Sequence, residues 1–242
     1  PGAIGLYSGA ALAAAALLRF TPGNVPSYAL SLAAIAGSLT SVVIVASLSW
    51  SRSHNEPLTL ILAGIAVSSL GGALLTAAML SGPPQRISRL MFWLSGDLNG
   101  IGAGEANLLT MALVLTLPLA ILTMRKLDIQ MLDRLTGAGL GNRGMVKTWS
   151  LLAFSALLAG VAPAAAGIIV FVGLIAPHLA RSIVGPVNRR VIPVAVLIGA
   201  LLVTGADLIG RIVDPPNQIP TGLICGLIGA PAFFLIMRRQ NG

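Results

Sequence analysis

Asp207 and Arg211 stand four residues apart in an otherwise apolar stretch. On a helix that spacing puts the carboxylate and the guanidinium on one face, where they can pair. Ionisable groups inside apolar spans are costly and mark function by default. Two readings stay open: a self-neutralised structural pair with Arg211 reaching toward the surface, or a charge held for a partner. A second polar group closes the stretch FVGLIAPHLAR, where Pro177 and His178 precede Arg181. His178 at a helix end either bonds a carbonyl or serves as a ligand or proton carrier, and residue type alone favours the carbonyl. Pro177 is expected to bend or loosen the last turns of its helix. Arg181 can snorkel to headgroups or meet a partner on that side.

Beyond these residues the inventory of chemistry is thin. There is no phosphate-binding GxxxxGK[ST], no HExxH or Cys/His spacing for a metal, and no GxSxG. Cys225 is the single cysteine and lies in an apolar segment, so it reads as a small buried hydrophobe. No catalytic residue, metal or bound cofactor is expected on the chain itself. If it moves anything uphill, it must borrow the energy.

The elements that position these residues follow from composition. The chain is 56% hydrophobic and 9% charged, with a mean hydropathy of +0.92. A soluble domain carries about 25% charged residues, so the surface of this chain must meet mostly lipid. The apolar runs are long and continuous rather than alternating, which predicts an all-α polytopic bundle and not a barrel. The net charge of +8 reads as Lys and Arg gathered in loops on one side of a membrane, not as a nucleic-acid surface.

Six spans are plain: Ala3–Leu18, Ser27–Trp50, Pro57–Leu80, Ala106–Met124, Val191–Ile209 and Ile219–Met237. The run Trp149–Val184 is too long for one crossing, which takes about 20 residues. Gly160, Pro163 and Gly167 near its middle predict two helices joined by a turn at about Gly160–Gly167. Eight spans result, and eleven of the fifteen Lys and Arg then fall on one side. That side is the cytoplasmic one by the positive-inside rule. A single span would put Arg181, Arg189 and Arg190 opposite the Arg125–Lys147 cluster and erase the bias. The short first segment, the start at Pro1 without Met and the lack of a signal-peptide pattern predict that N-terminal residues are missing.

Two loops exceed a turn. Arg125–Lys147 on the inside alternates apolar and charged residues, then carries Gly137, Gly139, Gly141 and Gly144. It predicts one or two short amphipathic helices, either resting on headgroups or docking a soluble partner. Ser81–Glu105 lies outside. Within it Gln85–Leu94 places Ile87, Leu90, Met91 and Leu94 on one helical face and Arg86 and Arg89 on another. That helix lies along the outer surface, binding headgroups or a partner. GLICG at Gly222–Gly226 permits close helix contact.

Several stretches together resemble the FecCD/BtuC-type permeases of ABC importers for ferric siderophores, haem and cobalamin. PGAIGLYSGAAL is similar to the opening of that family's third span, LTLILAGIAVSSL to its "LLLAGxAxS" span, and MFWLSGDLNG to its "xxWxxGSLxG". GIIVFVGLIAPHLAR resembles "GxIxFVGLIxPHxxR", the most specific of the matches. ADLIGR followed by IPTGLICGLIGAPAFFLIMRR resembles the family's C-terminal pattern. The resemblance runs through the chain in order. It implies one transmembrane permease domain over 1–242, holding spans three to ten of a ten-span permease in a bacterial inner membrane.

The resemblance also implies roles. The 125–147 region would couple to a cytoplasmic ATPase that holds ATP and Mg. The residues at its docking pattern are Leu132, Asp133, Arg134, Leu135, Thr136, Gly137, Gly139 and Gly141. Asp133 and Thr136 depart from the family's Gly and Ala. Arg211 aligns with a family arginine that meets a carboxylate on a periplasmic or lipid-anchored binding protein, and Arg86 and Arg89 are weaker candidates for that surface. Pro177, His178, Arg181 and Asp207 remain candidates for structure or gating. The implied assembly is a homodimer, or a pseudo-dimer with a second permease half. A ferric siderophore is the expected cargo, with haem or cobalamin as the alternative. A secondary transporter driven by an ion gradient is the rival from another class; it needs ionisable groups at mid-membrane.

Overall fold

The structure is a computed structural model and describes residues 5–21, 25–50, 57–99, 101–130, 161–213, 215 and 217–240. Every regular element among them is helical. In chain order they are α1 (Leu6–Phe20), α2 (Ser27–Trp50), α3 (Pro57–Leu80), α4 (Pro84–Leu94), α5 (Ala103–Gln130), α6 (Val172–Val184), α7 (Asn188–Val213) and α8 (Thr221–Gln240). Residues 161–166 are helical as well. α3 and α4 each open on a proline, where the missing N–H would have no helical partner anyway.

Among the described residues, three helices are long and apolar enough to cross a membrane: Tyr28–Ser49, Thr59–Leu80 and Asn188–Val213. Shorter apolar helices, Leu6–Phe20, Leu109–Pro118, Val172–Val184 and Thr221–Phe234, stand where four more spans are expected. The eighth expected segment lies mostly outside the described residues.

The chain packs as two compact units. The first gathers residues 1–94, 101–112 and 152–168. α1 is its hub and touches α2, α3 and α4. The reason is its run of small residues: Ala10 and Ala14 are fully buried, as is Ala34 across the interface on α2. Gly9 and Gly37 face each other so closely that a Cβ on either would overlap the other's carbonyl oxygen. Small residues are how apolar helices gain contact when lipid offers no hydrophobic driving force. Ser31 also donates to the Ala164 carbonyl at 2.5 Å.

α4 shows why its face was only partly legible. Leu90 is buried against Ala14, Ala15 and Leu18, with Trp93 and Leu94 packed on that cluster. Met91, expected on the same face, is 59% exposed.

The second unit holds residues 95–100, 113–151 and 169–242. α6, α7 and α8 pack on one another, with Ala206, Ile224 and Cys225 forming a buried cluster. Two boundaries differ from expectation. Residues 161–166 are still helical, and the non-helical break falls at 167–171 rather than at Gly160–Gly167. Gly167 takes a φ of 70° and Phe171 a φ of 66°. Phe171 is the centre of a three-residue turn that Val172 N–H closes on the Val170 carbonyl at 2.9 Å. Its ring packs where a Cβ on Gly229 would stand 2.5 Å from Phe171 Cβ, so the glycine of α8 makes room for the turn. The second difference is α5, which continues past Met124 to Gln130. The first residues of the expected inside loop are therefore helix.

Candidate functional site

Asp207 is organised by two contacts. Arg211 Nε donates to its Oδ2 at 2.8 Å, and Thr221 Oγ1 donates to its Oδ1 at 3.1 Å. Thr221 is 1% exposed and opens α8. α8 has no acidic residue in its first turn, so the Asp207 carboxylate faces a helix start that lacks its own compensating charge. Gly222 N–H, in the same turn, donates to the Gly96 carbonyl at 2.7 Å. The knot thus fixes the end of α7 to the beginning of α8. The Asp207 side chain is 20% exposed and that of Arg211 48%. A pair this open contributes at most about 1 kcal/mol, and the Arg211 side chain remains half in the surroundings.

Arg86 and Arg89 both turn inward. Arg86 Nη1 donates to the carbonyls of Leu18 at 2.8 Å and Arg19 at 3.1 Å. Arg89 Nη2 donates to the Val25 carbonyl at 2.7 Å. The last carbonyls of α1 have no helical partner, and α4 supplies one. A small crevice beside this contact is lined by Ala15, Leu18, Met79, Ile87 and Leu90.

Pro177, His178 and Arg181 lie on α6, with Arg181 exposed in its last turn. Gly185 ends the helix with a φ of 81°, its N–H on the Arg181 carbonyl. α7 begins at Asn188 and reaches Asp207 about 28 Å further along its axis at 1.5 Å per residue. Arg181, at the end of α6, therefore precedes the start of α7, whereas Asp207 lies toward its other end. Leu132, Asp133, Arg134, Leu135, Thr136, Gly137, Gly139 and Gly141 lie outside the described residues.

Two contributors escaped the sequence. Thr221 gave no signal, since a lone Thr in an apolar helix start is common. Asp128 did leave one. It accepts a hydrogen bond from the backbone N–H of Asn188 at 2.7 Å, across 60 residues of chain. Gly185, Pro186 and Val187 offer no side-chain acceptor to the start of α7, and Arg189 and Arg190 follow at once. A helix opening on two cations without a cap calls for an acid from elsewhere.

A multi-pass helical membrane protein, with small-residue packing and polar knots at helix ends, is the class these features define. Residues 1–239 match the FecCD transport family, and the chain belongs to it. It is 34% identical over 242 residues to the Fe(3+) dicitrate transport system permease protein FecD of Escherichia coli strain K12, covering 100% of this chain and 74% of the relative. It is 34% identical over 249 residues to the hemin transport system permease protein HmuU of Yersinia pestis, covering 100% and 73%. The vitamin B12 import system permease protein BtuC of Vibrio cholerae is 32% identical over 241 residues, covering 100% and 72%. Among solved structures, an inward-facing conformation of a metal-chelate type ABC transporter superposes with a TM-score of 0.90 at 25% identity, covering 99% of this chain and 75% of the other.

Proposed function

We propose that the chain is the permease of an ATP-driven importer that carries a ferric siderophore across the bacterial inner membrane by alternating access. The family match along residues 1–239 carries this reading. The chain acts as one permease domain and does no chemistry of its own. ATP and Mg belong to a cytoplasmic ATPase that grips the 125–147 segment through Leu132–Gly141. A binding protein delivers the chelate outside, and a second permease half completes the pathway. Nucleotide and binding protein each bias the balance between inward- and outward-open states.

Arg211 is the outer docking residue. Its half-exposed side chain supports that role, whereas Arg86 already holds the end of α1 and Arg89 the Val25 carbonyl beyond it. Asp207 with Arg211 is also the one ion pair among the described residues, and it sits near a helix end. That placement suits docking better than a proton relay at mid-membrane.

The test is uptake into proteoliposomes holding the permease, its ATPase and its binding protein, with ferric citrate, other ferric siderophores, haemin and cobalamin as cargoes. Ferric siderophore uptake is expected to require ATP and to survive a protonophore. Arg134→Glu with Leu135→Asp is expected to abolish uptake while the permease still inserts. Uptake of haemin or cobalamin alone would reassign the cargo, and uptake driven by the proton gradient without the ATPase would overturn the reading.

A further inference from the structure

We propose that Asp128 is a positioning residue that ties α7 to the ATPase-coupling segment, so that movement of that segment is handed to α7. The inference rests on the reading of 125–147 as that segment. α5 runs unbroken to Gln130 and so delivers Asp128 at the edge of residues 131–147. One turn earlier Met124 is 5% exposed, and the i, i+4 spacing places it on the same face as Asp128. The carboxylate takes the Asn188 N–H at 2.7 Å.

The start of α7 depends on this bond. Arg190 N–H and Val191 N–H both close on the Val187 carbonyl, which makes Val187 the N-cap and Asn188 the first helical residue. Valine is a poor N-cap because it has no side-chain acceptor. The first turn of α7 has no acidic residue, and it carries Arg189 and Arg190 against the positive end of the helix dipole. A charged acceptor from α5 answers both needs. Asn188 is 8% exposed and Val191 2%, so this end of α7 is packed rather than loose.

The far end of α7 repeats the device. There Asp207 faces the start of α8, which also lacks an acid in its first turn. α7 is thus held at its first residue by a carboxylate of α5, and near its last turn it holds α8 with a carboxylate of its own. Along its length α7 also packs on α6 and α8, so the end links add to these side contacts. The two end links join α7 to α5 at its first residue and to α8 near its last turn, which gives a displacement entering at Asn188 a route to α8.

The experiment uses the assembled importer in proteoliposomes and a readout that needs no cargo. In a Cys225→Ser background, Val213→Cys reports the outer end of α7, and Asn142→Cys, beyond the docking residues, reports the coupling segment. Thiol labelling rates are compared without nucleotide and with ATP and vanadate. Both positions are expected to respond with Asp128 in place. Asp128→Ala is expected to shrink the response at position 213 by at least about 5-fold, the lower end of ordinary coupling effects, while position 142 keeps its response. Asp128→Glu should restore it.

Val187→Asp added to Asp128→Ala gives α7 a local cap without the tie to α5. Stability should return and the response at 213 should not. This pair also reports if Asp128→Ala alone fails to insert. A full response at 213 in Asp128→Ala, or its rescue by Val187→Asp, would overturn the proposal and leave Asp128 a cap only. A silent 213 beside a responsive 142 with Asp128 intact would overturn it as well. A silent 142 would instead remove the coupling-segment reading, and the inference with it.

Discussion

Arg211 holds Asp207 through Nε alone, and its side chain stays 48% exposed. A docking role and a structural role predict different behaviour for the two members of this pair. If Arg211 serves the binding protein, Arg211→Ala should weaken that protein's affinity by about tenfold, as loss of a well-placed interfacial arginine does. Asp207→Ala should cost far less affinity, because the freed guanidinium still faces outward. If the pair is only structural, both substitutions should lower the thermal midpoint together and leave affinity alone. Binding measured on purified permease in nanodiscs, with melting on the same samples, separates the outcomes. The i, i+4 spacing was enough to foresee the ion pair. It could not foresee Thr221, because a contact between separate elements leaves no local pattern.

At the scale of elements, the joint between α1 and α4 is the clearest case of a helix end satisfied from outside. Arg86 covers two terminal carbonyls of α1, and Arg89 covers the Val25 carbonyl just beyond. Hydrogen bonds from a charged donor are worth about 1.5–3 kcal/mol when buried, and partial exposure lowers this toward about 1–2 kcal/mol. Arg86→Ala should therefore lower the melting temperature in detergent by a few degrees. Arg86→Lys should recover only part of it, since one ammonium cannot span both carbonyls as a planar guanidinium does. An unchanged melt would show that water satisfies the carbonyls equally well. The helices themselves were largely legible, because long apolar runs bounded by Pro and Gly leave little choice in lipid. The break at 167–171 was placed a few residues early. Gly and Pro mark where a helix can end, while the restart after Phe171 depends on the space that Gly229 leaves on another helix. The extension of α5 to Gln130 was hidden for the opposite reason: Arg125 and Lys126 read as loop, yet charged residues continue a helix easily where it leaves the membrane.

For the whole molecule, the decisive question is which loops share a side. The charge argument puts Arg125–Lys147 and Arg189–Arg190 together inside, with eleven of the fifteen basic residues. The hydrogen bond from Asn188 N–H to Asp128 is an independent argument from geometry, since atoms 2.7 Å apart cannot lie on opposite faces of a bilayer. It requires the chain between Gln130 and Asn188 to cross an even number of times. The hairpin that the charge pattern predicts within residues 149–184 would meet that requirement. With single cysteines in a Cys225→Ser background, a membrane-impermeant thiol reagent added outside should label Gln85→Cys readily. It should leave Leu140→Cys and Arg190→Cys untouched until the vesicles are opened. Labelling of 140 and 190 from opposite sides would break the hairpin, the charge assignment and the α5–α7 tie at once. Labelling of both from outside would keep the tie and invert the molecule, moving Arg211 away from any binding protein.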